Sequence, residues 1–272
     1  MNGITPSDSR WVPWLVAPAS GFVVDDPSGR GEVEIAQVDE RQFVVRNAFR
    51  FSHPAIEEYL VEQLVDRGTT KAEALRAVDT ARTFLPREDN PTDLASIPRF
   101  LRWFENPYGL HSLAALIHDE LITGTANSGA LGSDTLSDRF FREMMRASGV
   151  PWLKRWIMWS AVALRTRWVA GGARRLSVVV WLLLSVVGIG AAVGSSGALL
   201  FGWPWPVSSP SVSLVLALLM IFVAAPLWGR QWAASLVAAV AALWILPAAI
   251  VAYCAYALYL LSERAARTVG LT

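Results

Sequence analysis

Residues 92–99, with the sequence T-D-L-A-S-I-P-R, place four polar side chains beside a fixed turn. The polar members are Thr92, Asp93, Ser96 and Arg99. The leucine, alanine and isoleucine between them favour burial, and Pro98 stops a helix from running through the segment. The pattern predicts a turn that presents a carboxylate, hydroxyl groups and a guanidinium together.

A second polar feature, His118–Asp119, lies in the middle of an apolar helical pattern over residues 110–122. A histidine and a carboxylate inside an apolar helix are costly unless each has a partner. We expect Asp93 and Arg99 to supply those partners. The predicted polar cluster consists of Thr92, Asp93, Ser96, Arg99, His118, Asp119 and Asp138.

Two interpretations of this polar cluster are open. In a hydrolase, His118 would be a general base held by Asp93, and Asp119 would orient water or bind a cation. In a structural cluster, His118 would be a satisfied core histidine, and Asp93 would cap the helix or pair with Arg99. The residue chemistry alone favours the structural interpretation.

The histidines and the cysteine do not predict a metal site or a disulfide. His111 and His118 are seven residues apart, which is about 10 Å along a helix, so they cannot share one zinc ion. Cys254 is the only cysteine in the 272 residues, which leaves no intramolecular disulfide. We expect no metal and no cofactor.

Charge divides the chain into a polar head and an apolar tail. Residues 1–138 carry 12 basic and 21 acidic side chains, whereas residues 139–175 carry 9 basic and 1 acidic. From Leu176 to the end, three arginines and one glutamate remain. We therefore expect a cytoplasmic head at 1–150, a basic juxtamembrane helix at 151–175 and a transmembrane region at 176–272. The acidic head would repel phosphate, so we expect no nucleic-acid partner.

The tail predicts about three membrane spans, near residues 176–201, 211–228 and 232–261. A helix needs about 20 apolar residues to cross the hydrocarbon layer, and no span contains a charged residue. Such spans indicate an anchor rather than an ion pathway. The spacing of Gly190 and Gly194 allows close packing of helices and a homo-oligomer formed through them.

The basic segment predicts orientation and location. Arginine and lysine before the first span place the head in the cytoplasm, with the protein in the cytoplasmic membrane. The segment also contains tryptophan, which is typical of a helix in the lipid headgroup region, although a helix packed in a core remains the alternative. The predicted interface residues are Trp152, Lys154, Arg155, Trp156, Trp159, Arg165, Arg167 and Trp168.

The head predicts an α+β fold with a small antiparallel sheet. Alternating apolar residues indicate strands at 22–24, 32–38 and 43–51, with a hairpin turn at 39–41. Helical patterns follow at 54–65 and from Thr70 through Leu85, and the second begins with the capping box Thr70-x-x-Glu73. Another helix is expected at 137–148, with Ser137 or Asp138 near its cap.

Four motifs occur in order and together resemble a family of short proteins from phages, prophages and bacteria whose function is unknown. They are T-D-L-A-S-I-P-R at 92–99, A-x-x-H-D at 115–119, S-D-R-F-F-R-E-M-M at 137–145 and G-V-P-W at 149–152. The resemblance covers about residues 43–169. The helices at 54–85 look like an insertion, tyrosines that usually follow His-Asp are absent, and the membrane tail is an addition.

The resemblance implies an association with phage tails or phage-derived machinery. Combined with the tail, it suggests a docking or effector protein that ties a phage-tail-like assembly, of the contractile injection type, to the inner face of the cytoplasmic membrane. Baseplate proteins are expected partners. The alternative is a membrane-bound hydrolase of lipid or cell-wall material that uses His118, Asp119 and Asp93.

Overall fold

The computed structural model describes residues 23–25, 33–37, 42–86, 92, 109–123, 127–207 and 209–268. It is mostly helical, with two small antiparallel sheets. The chain divides into two compact units, and the boundary falls between Trp159 and Ser160.

The first unit contains short strands in its N-terminal part. Strands β1 (Val23–Asp25), β4 (Phe49–Ser52) and β5 (Thr83–Phe84) form one sheet in the order β1-β4-β5. Strands β2 (Ile35–Gln37) and β3 (Phe43–Val45) form the other, with Ile35 opposite Val45. The predicted antiparallel pairing of these two segments is confirmed, while the expected turn at 39–41 lies outside the described residues.

Two predicted elements of the head have different limits in the structure. The continuous strand expected at 43–51 is wrong, because its two ends pair in different sheets. The helix expected to continue through Leu85 ends at Ala81, since β5 follows it and pairs with β4. Phe84 then stacks on Phe49, with 5.0 Å between the ring centroids.

Helices complete the first unit: α1 (Pro54–Val65), α2 (Lys71–Ala81), α3 (Ser112–Thr123) and α4 (Asp134–Ala147). The capping box of α2 is confirmed, because the Glu73 backbone N–H donates to the Thr70 hydroxyl at 3.3 Å. The cap predicted for α4 is wrong. Ser133 caps that helix, which starts one turn earlier than expected, so Ser137 and Asp138 are buried within it.

The core of this unit forms where α1, α3 and α4 meet the larger sheet. Apolar side chains there are almost inaccessible to solvent: Phe49, Phe51, Ile56, Leu60, Ile117, Leu121, Phe140 and Met144. Phe51 meets Phe140 edge to face at 5.8 Å. Gly149 follows the end of α4. Its φ of 77° lies in the left-handed region, which glycine adopts without strain.

Helix α5 (Trp152–Ala170) contains the boundary between the units. The second unit continues with α6 (Gly172–Phe201), α7 (Pro210–Ala224), a 3-10 turn (Ala225–Gln231) and α8 (Trp232–Thr268). Helix α6 packs along α7. Helix α8 is one continuous helix that contains Pro247.

Two helical stretches are long and apolar enough to cross a membrane. They are Gly172–Phe201, with a mean hydropathy of 2.5, and Pro210–Ile245, with a mean hydropathy of 2.4. The second stretch includes the 3-10 turn, where Gly229 has φ 55° and ψ −121° and breaks the helical path.

Candidate functional site

The central polar feature of the first unit is a buried pair between His118 on α3 and Asp138 on α4. The His118 Nε2 lies 3.0 Å from the Asp138 Oδ1. The Asp138 side chain is 0% exposed and that of His118 is 8% exposed. The imidazole also packs against Phe141, with ring centroids 5.1 Å apart. The pair therefore joins two helices from inside the core.

The other predicted members of the polar cluster have separate positions. Asp119, next to His118 in sequence, points away from the core and is exposed. Thr92 pairs with Phe43 through two backbone hydrogen bonds of 2.8 Å, which extends the smaller sheet region. Asp93, Ser96 and Arg99 lie outside the described residues, so the expected contact of Asp93 with His118 stays a prediction.

Asp138, a predicted member of the polar cluster, contacts His118 directly. The signal for it was present, because Asp138 shares the buried face of α4 with Leu136, Phe141 and Met145. A carboxylate on such a face needs a polar partner from a neighbouring element. His118, on the helix that packs against α4, is that partner.

Histidines do not assemble with acidic residues or cysteine into a metal-binding group within the described residues. His111 is buried just before α3 and His118 is engaged by Asp138. The arrangement at α3 and α4 accordingly offers a histidine–carboxylate pair and not a ligand shell.

A second cluster in the first unit joins α4 to α5. The Arg142 guanidinium lies over the rings of Trp156 and Trp159, 4.7 Å and 4.6 Å from their centroids. Glu143 accepts from Arg142 at 3.1 Å and from Arg146 at 2.9 Å. Stacking of a guanidinium on indole rings stabilises packing that is shielded from water.

The residues predicted to face the membrane differ in their exposure. Trp159 is 3% exposed and packs inside the first unit. Trp156, Lys154, Arg155 and Arg167 are partly buried. Those of the set with exposed side chains are Trp152, Arg165 and Trp168.

Arg167 forms a clamp in the second unit that sequence reasoning did not identify. Its guanidinium donates to the Trp228 carbonyl at 3.0 Å, the Gln231 Oε1 at 3.3 Å and the Ser177 hydroxyl at 2.9 Å. It donates to the Leu227 carbonyl at 3.4 Å as well. These contacts hold the 3-10 turn beside the junction of α5 and α6. We call this set of contacts the Arg167 clamp.

Aromatic rings complete the Arg167 clamp. The guanidinium lies 5.6 Å from the centroid of the Trp228 ring, and Trp228 meets Trp181 of α6 at 4.9 Å. Burial lowers the pKa of Arg167, with a further lowering from the charge of Arg174. Arginine keeps its charge at neutral pH despite such a shift, so the clamp is cationic.

His53 at the start of α1 offers a test of pH dependence. Burial, and then the nearby charge of Arg146, lower the pKa of this histidine below its usual 6.5. The folded protein therefore binds fewer protons here than the unfolded chain as the pH falls through that range. The stability contributed by neutral His53 is present above pH 6.5 and decreases in more acid solution.

We expect the His53→Gln variant to lose less thermal stability than the wild type between pH 7 and pH 5. Melting temperatures of the detergent-solubilised full chain at half-unit pH steps would measure the difference. Subtracting the two profiles removes the titration of groups that both proteins share. Parallel profiles would contradict the conclusion that His53 contributes to the pH dependence of stability.

Comparison with known families places much of this site in one domain. The family model of a protein of unknown function, DUF1353, matches residues 69–162, about a third of the chain. No curated protein and no solved structure matches the chain significantly. The predicted similarity to a domain of unknown function is thus confirmed over these residues, which contain His118, Asp138 and Arg142. The match also includes α2.

Proposed function

We propose that this protein is a membrane-anchored docking protein of the inner face of the cytoplasmic membrane. The observation that carries the proposal is the exposure of large apolar side chains along α6, α7 and α8. Leu183 is 63% exposed, Val223 71% and Trp244 78%. Apolar surface on this scale is unfavourable in water and suits contact with lipid or with another protein.

In the proposed topology, the bilayer is crossed by α6, by α7 together with the 3-10 residues up to Trp228, and by α8. The stretch Pro210–Ile245 is then two spans rather than one, because a single span would put Arg230 and the broken turn at Gly229 inside the hydrocarbon. An arginine at the bilayer centre costs about 3 kcal/mol or more. The Arg167 clamp supports the same division, since it holds the turn at the end of α6 that adjoins α5.

Labelling with a thiol reagent that does not cross membranes would test this topology. In a Cys254→Ser background, cysteines replace Lys71 in the first unit, Val207 after α6, Arg230 in the turn and Thr268 near the end of α8. On intact cells we expect labelling at positions 207 and 268 alone, and labelling at 71 and 230 after lysis. Labelling of position 71 in intact cells would refute the inside location, while protection of position 268 would refute the third span.

The proposed partner is a phage-tail-like assembly of the contractile injection type. Support comes from the ordered motifs of the sequence and from the domain of unknown function that contains them. The predicted spans at 176–201, 211–228 and 232–261 contain no charged residue, which favours an anchoring role, and the first unit would present the contact surface. We extend the proposal to a homo-oligomer formed through the apolar helices.

Affinity capture after crosslinking in the protein's own cells would test the proposed partner. We expect enrichment of tail, sheath or baseplate proteins with the full chain. The matched control carries residues 160–272 alone with the same tag, which keeps the membrane anchor and omits the first unit. Equal recovery by both forms, or no tail-type protein with either, would refute the docking role.

A hydrolase of lipid or cell-wall material is the rival function, with His118 as base. Such a base must meet its substrate within hydrogen-bonding distance. The His118 side chain is 8% exposed, its Nε2 is held by a fully buried carboxylate, and Asp119 faces away. This geometry favours the structural role of the pair.

A further inference from the structure

Arginines outnumber acidic residues in the part of the chain from residue 160 onward. Residues 160–272 contain seven arginines and one acidic residue, Glu263, near the end of α8. Glu263 lies 3.9 Å from Arg267. Within residues 160–272, no acidic residue lies near the junction of α5 and α6 in sequence, so this stretch carries an excess of positive charge.

Three of these arginines flank the junction, and the Arg167 clamp adds a fourth. Arg165, Arg174 and Arg175 are exposed on either side of the glycines that connect α5 to α6. Arg230 is exposed in the 3-10 turn, which the clamp binds to the same end of α6. We call Arg165, Arg174, Arg175 and Arg230 the arginine belt.

Apolar and aromatic side chains adjoin the arginine belt. Trp168 is 43% exposed, Leu176 63% and Trp232 54%. The Arg175 guanidinium donates to the Trp168 carbonyl at 2.9 Å and lies 5.3 Å from the centroid of its ring. A cation fixed over an exposed indole is an arrangement suited to the boundary between headgroups and acyl chains.

We propose that the arginine belt binds the headgroups of anionic phospholipids in the cytoplasmic leaflet of the membrane. The inference rests on the proposed membrane anchoring and adds the class of lipid. Phosphate oxygens match the guanidinium fork, and a net anionic headgroup carries the charge opposite to that of the arginine belt. A phospholipid fits better than a nucleic acid because the belt borders exposed apolar helices.

Arg167 has a different part in this arrangement. Its guanidinium is occupied by two carbonyls, a side-chain amide and a hydroxyl of the same chain. Arg167 positions Arg230 beside the junction of α5 and α6. The exposed arginines of the belt make the contacts with lipid. The belt is therefore a surface assembled from two segments about 55 residues apart in sequence.

The test uses the full chain reconstituted in vesicles of phosphatidylcholine with spin-labelled phosphatidylglycerol or spin-labelled phosphatidylcholine as the probe. We expect the protein to immobilise the anionic probe at least about threefold more strongly than the zwitterionic one at low salt. The preference should decrease in 0.5 M NaCl because the charges are exposed. Changing Arg165, Arg174, Arg175 and Arg230 together to glutamine should bring the ratio close to one.

The matched control changes Arg264 and Arg267 to glutamine, which removes two exposed charges at the other end of α8 and should preserve the preference. The melting temperature in detergent must be equal for the wild type and both variants. If the fourfold variant melts at a lower temperature, two double variants replace it: Arg165→Gln/Arg230→Gln and Arg174→Gln/Arg175→Gln. Each double variant should halve the preference for the anionic probe.

Equal immobilisation of both probes by an inserted wild-type protein overturns this inference alone. Removal of the protein from vesicles by alkaline carbonate would instead overturn the proposed membrane anchoring. A belt-dependent affinity for RNA or DNA without lipid preference would overturn the choice of phospholipid.

Discussion

Replacing Asp138 with alanine should raise the exchange rate of backbone amides in α3 and α4 by about 100-fold. The change leaves the imidazole of His118 in the core without the carboxylate that lies 3.0 Å from it. A buried polar group that loses its partner costs about 1–3 kcal/mol, and a charged one more. A loss of about 3 kcal/mol in the free energy of local opening corresponds to that change in rate. Hydrogen exchange with mass spectrometry on the full chain would report it for each helix.

The matched control for this experiment is Asp119→Ala, one residue from His118 on the exposed side of α3. A surface substitution of this kind usually changes stability by less than about 0.5 kcal/mol. His118→Ala should have an effect similar to that of Asp138→Ala. The double variant should lose less than the sum of the two single losses, because both remove the same contact.

The same variants separate the structural role from a catalytic one. If the pair only supports the core, exchange increases and docking weakens in proportion to the folded fraction. Unchanged exchange, together with complete loss of function in both Asp138→Ala and His118→Ala, would contradict this expectation. That result would support a role of His118 as a general base.

Arg167→Gln should lower the stability of the second unit by about 2–4 kcal/mol. The carbonyls of Leu227 and Trp228 lie just before Gly229, where the backbone leaves the helical conformation, and Arg167 donates to both. In the proposed membrane topology, the loss of these hydrogen bonds is expensive because water does not readily replace the guanidinium donor. A decrease in melting temperature of the chain in zwitterionic detergent, with faster exchange over residues 225–231, is the expected result.

Two variants control the interpretation of this result. Arg165→Gln removes an exposed arginine from the same helix and should change the melting temperature little in zwitterionic detergent. Arg167→Lys keeps the charge and should recover only part of the stability, since an ammonium group cannot reproduce the planar fork that reaches four acceptors. Full recovery with lysine would show that charge alone, and not hydrogen bonding, holds the turn.

Local patterns of the sequence predicted much of the fold. The capping box at Thr70 and the alternating residues before Val45 act within a few residues, so their physical effects are visible in the sequence itself. Strand β5 was missed because its two residues, Thr83 and Phe84, are strand only through pairing with β4.

Sites that depend on distant contacts were predicted in part. The apolar surroundings of His118 showed that the residue needs a partner, yet the partner comes from a helix 20 residues further along. Arg167 was placed in a basic interface helix, but three of its four acceptors lie about 60 residues away in a turn whose geometry depends on Gly229. Contacts between residues that are far apart in sequence could not be predicted from local patterns, because they depend on how the chain packs.

Two tryptophans that follow α6, Trp203 and Trp205, pack against the face of α6 that carries Gly194 and Gly197. The Trp205 ring lies where a side chain on Gly194 would be, and the Trp203 ring covers Gly197 in the same way. Gly190, by contrast, has open space around it. A second copy of α6 that approached this face would have to displace indoles that are attached to the same chain, and attachment gives them an effective concentration of the order of millimolar. The segment is thus a tethered competitor of self-association through Gly194, and an oligomer of this protein would form through another face unless the segment is displaced.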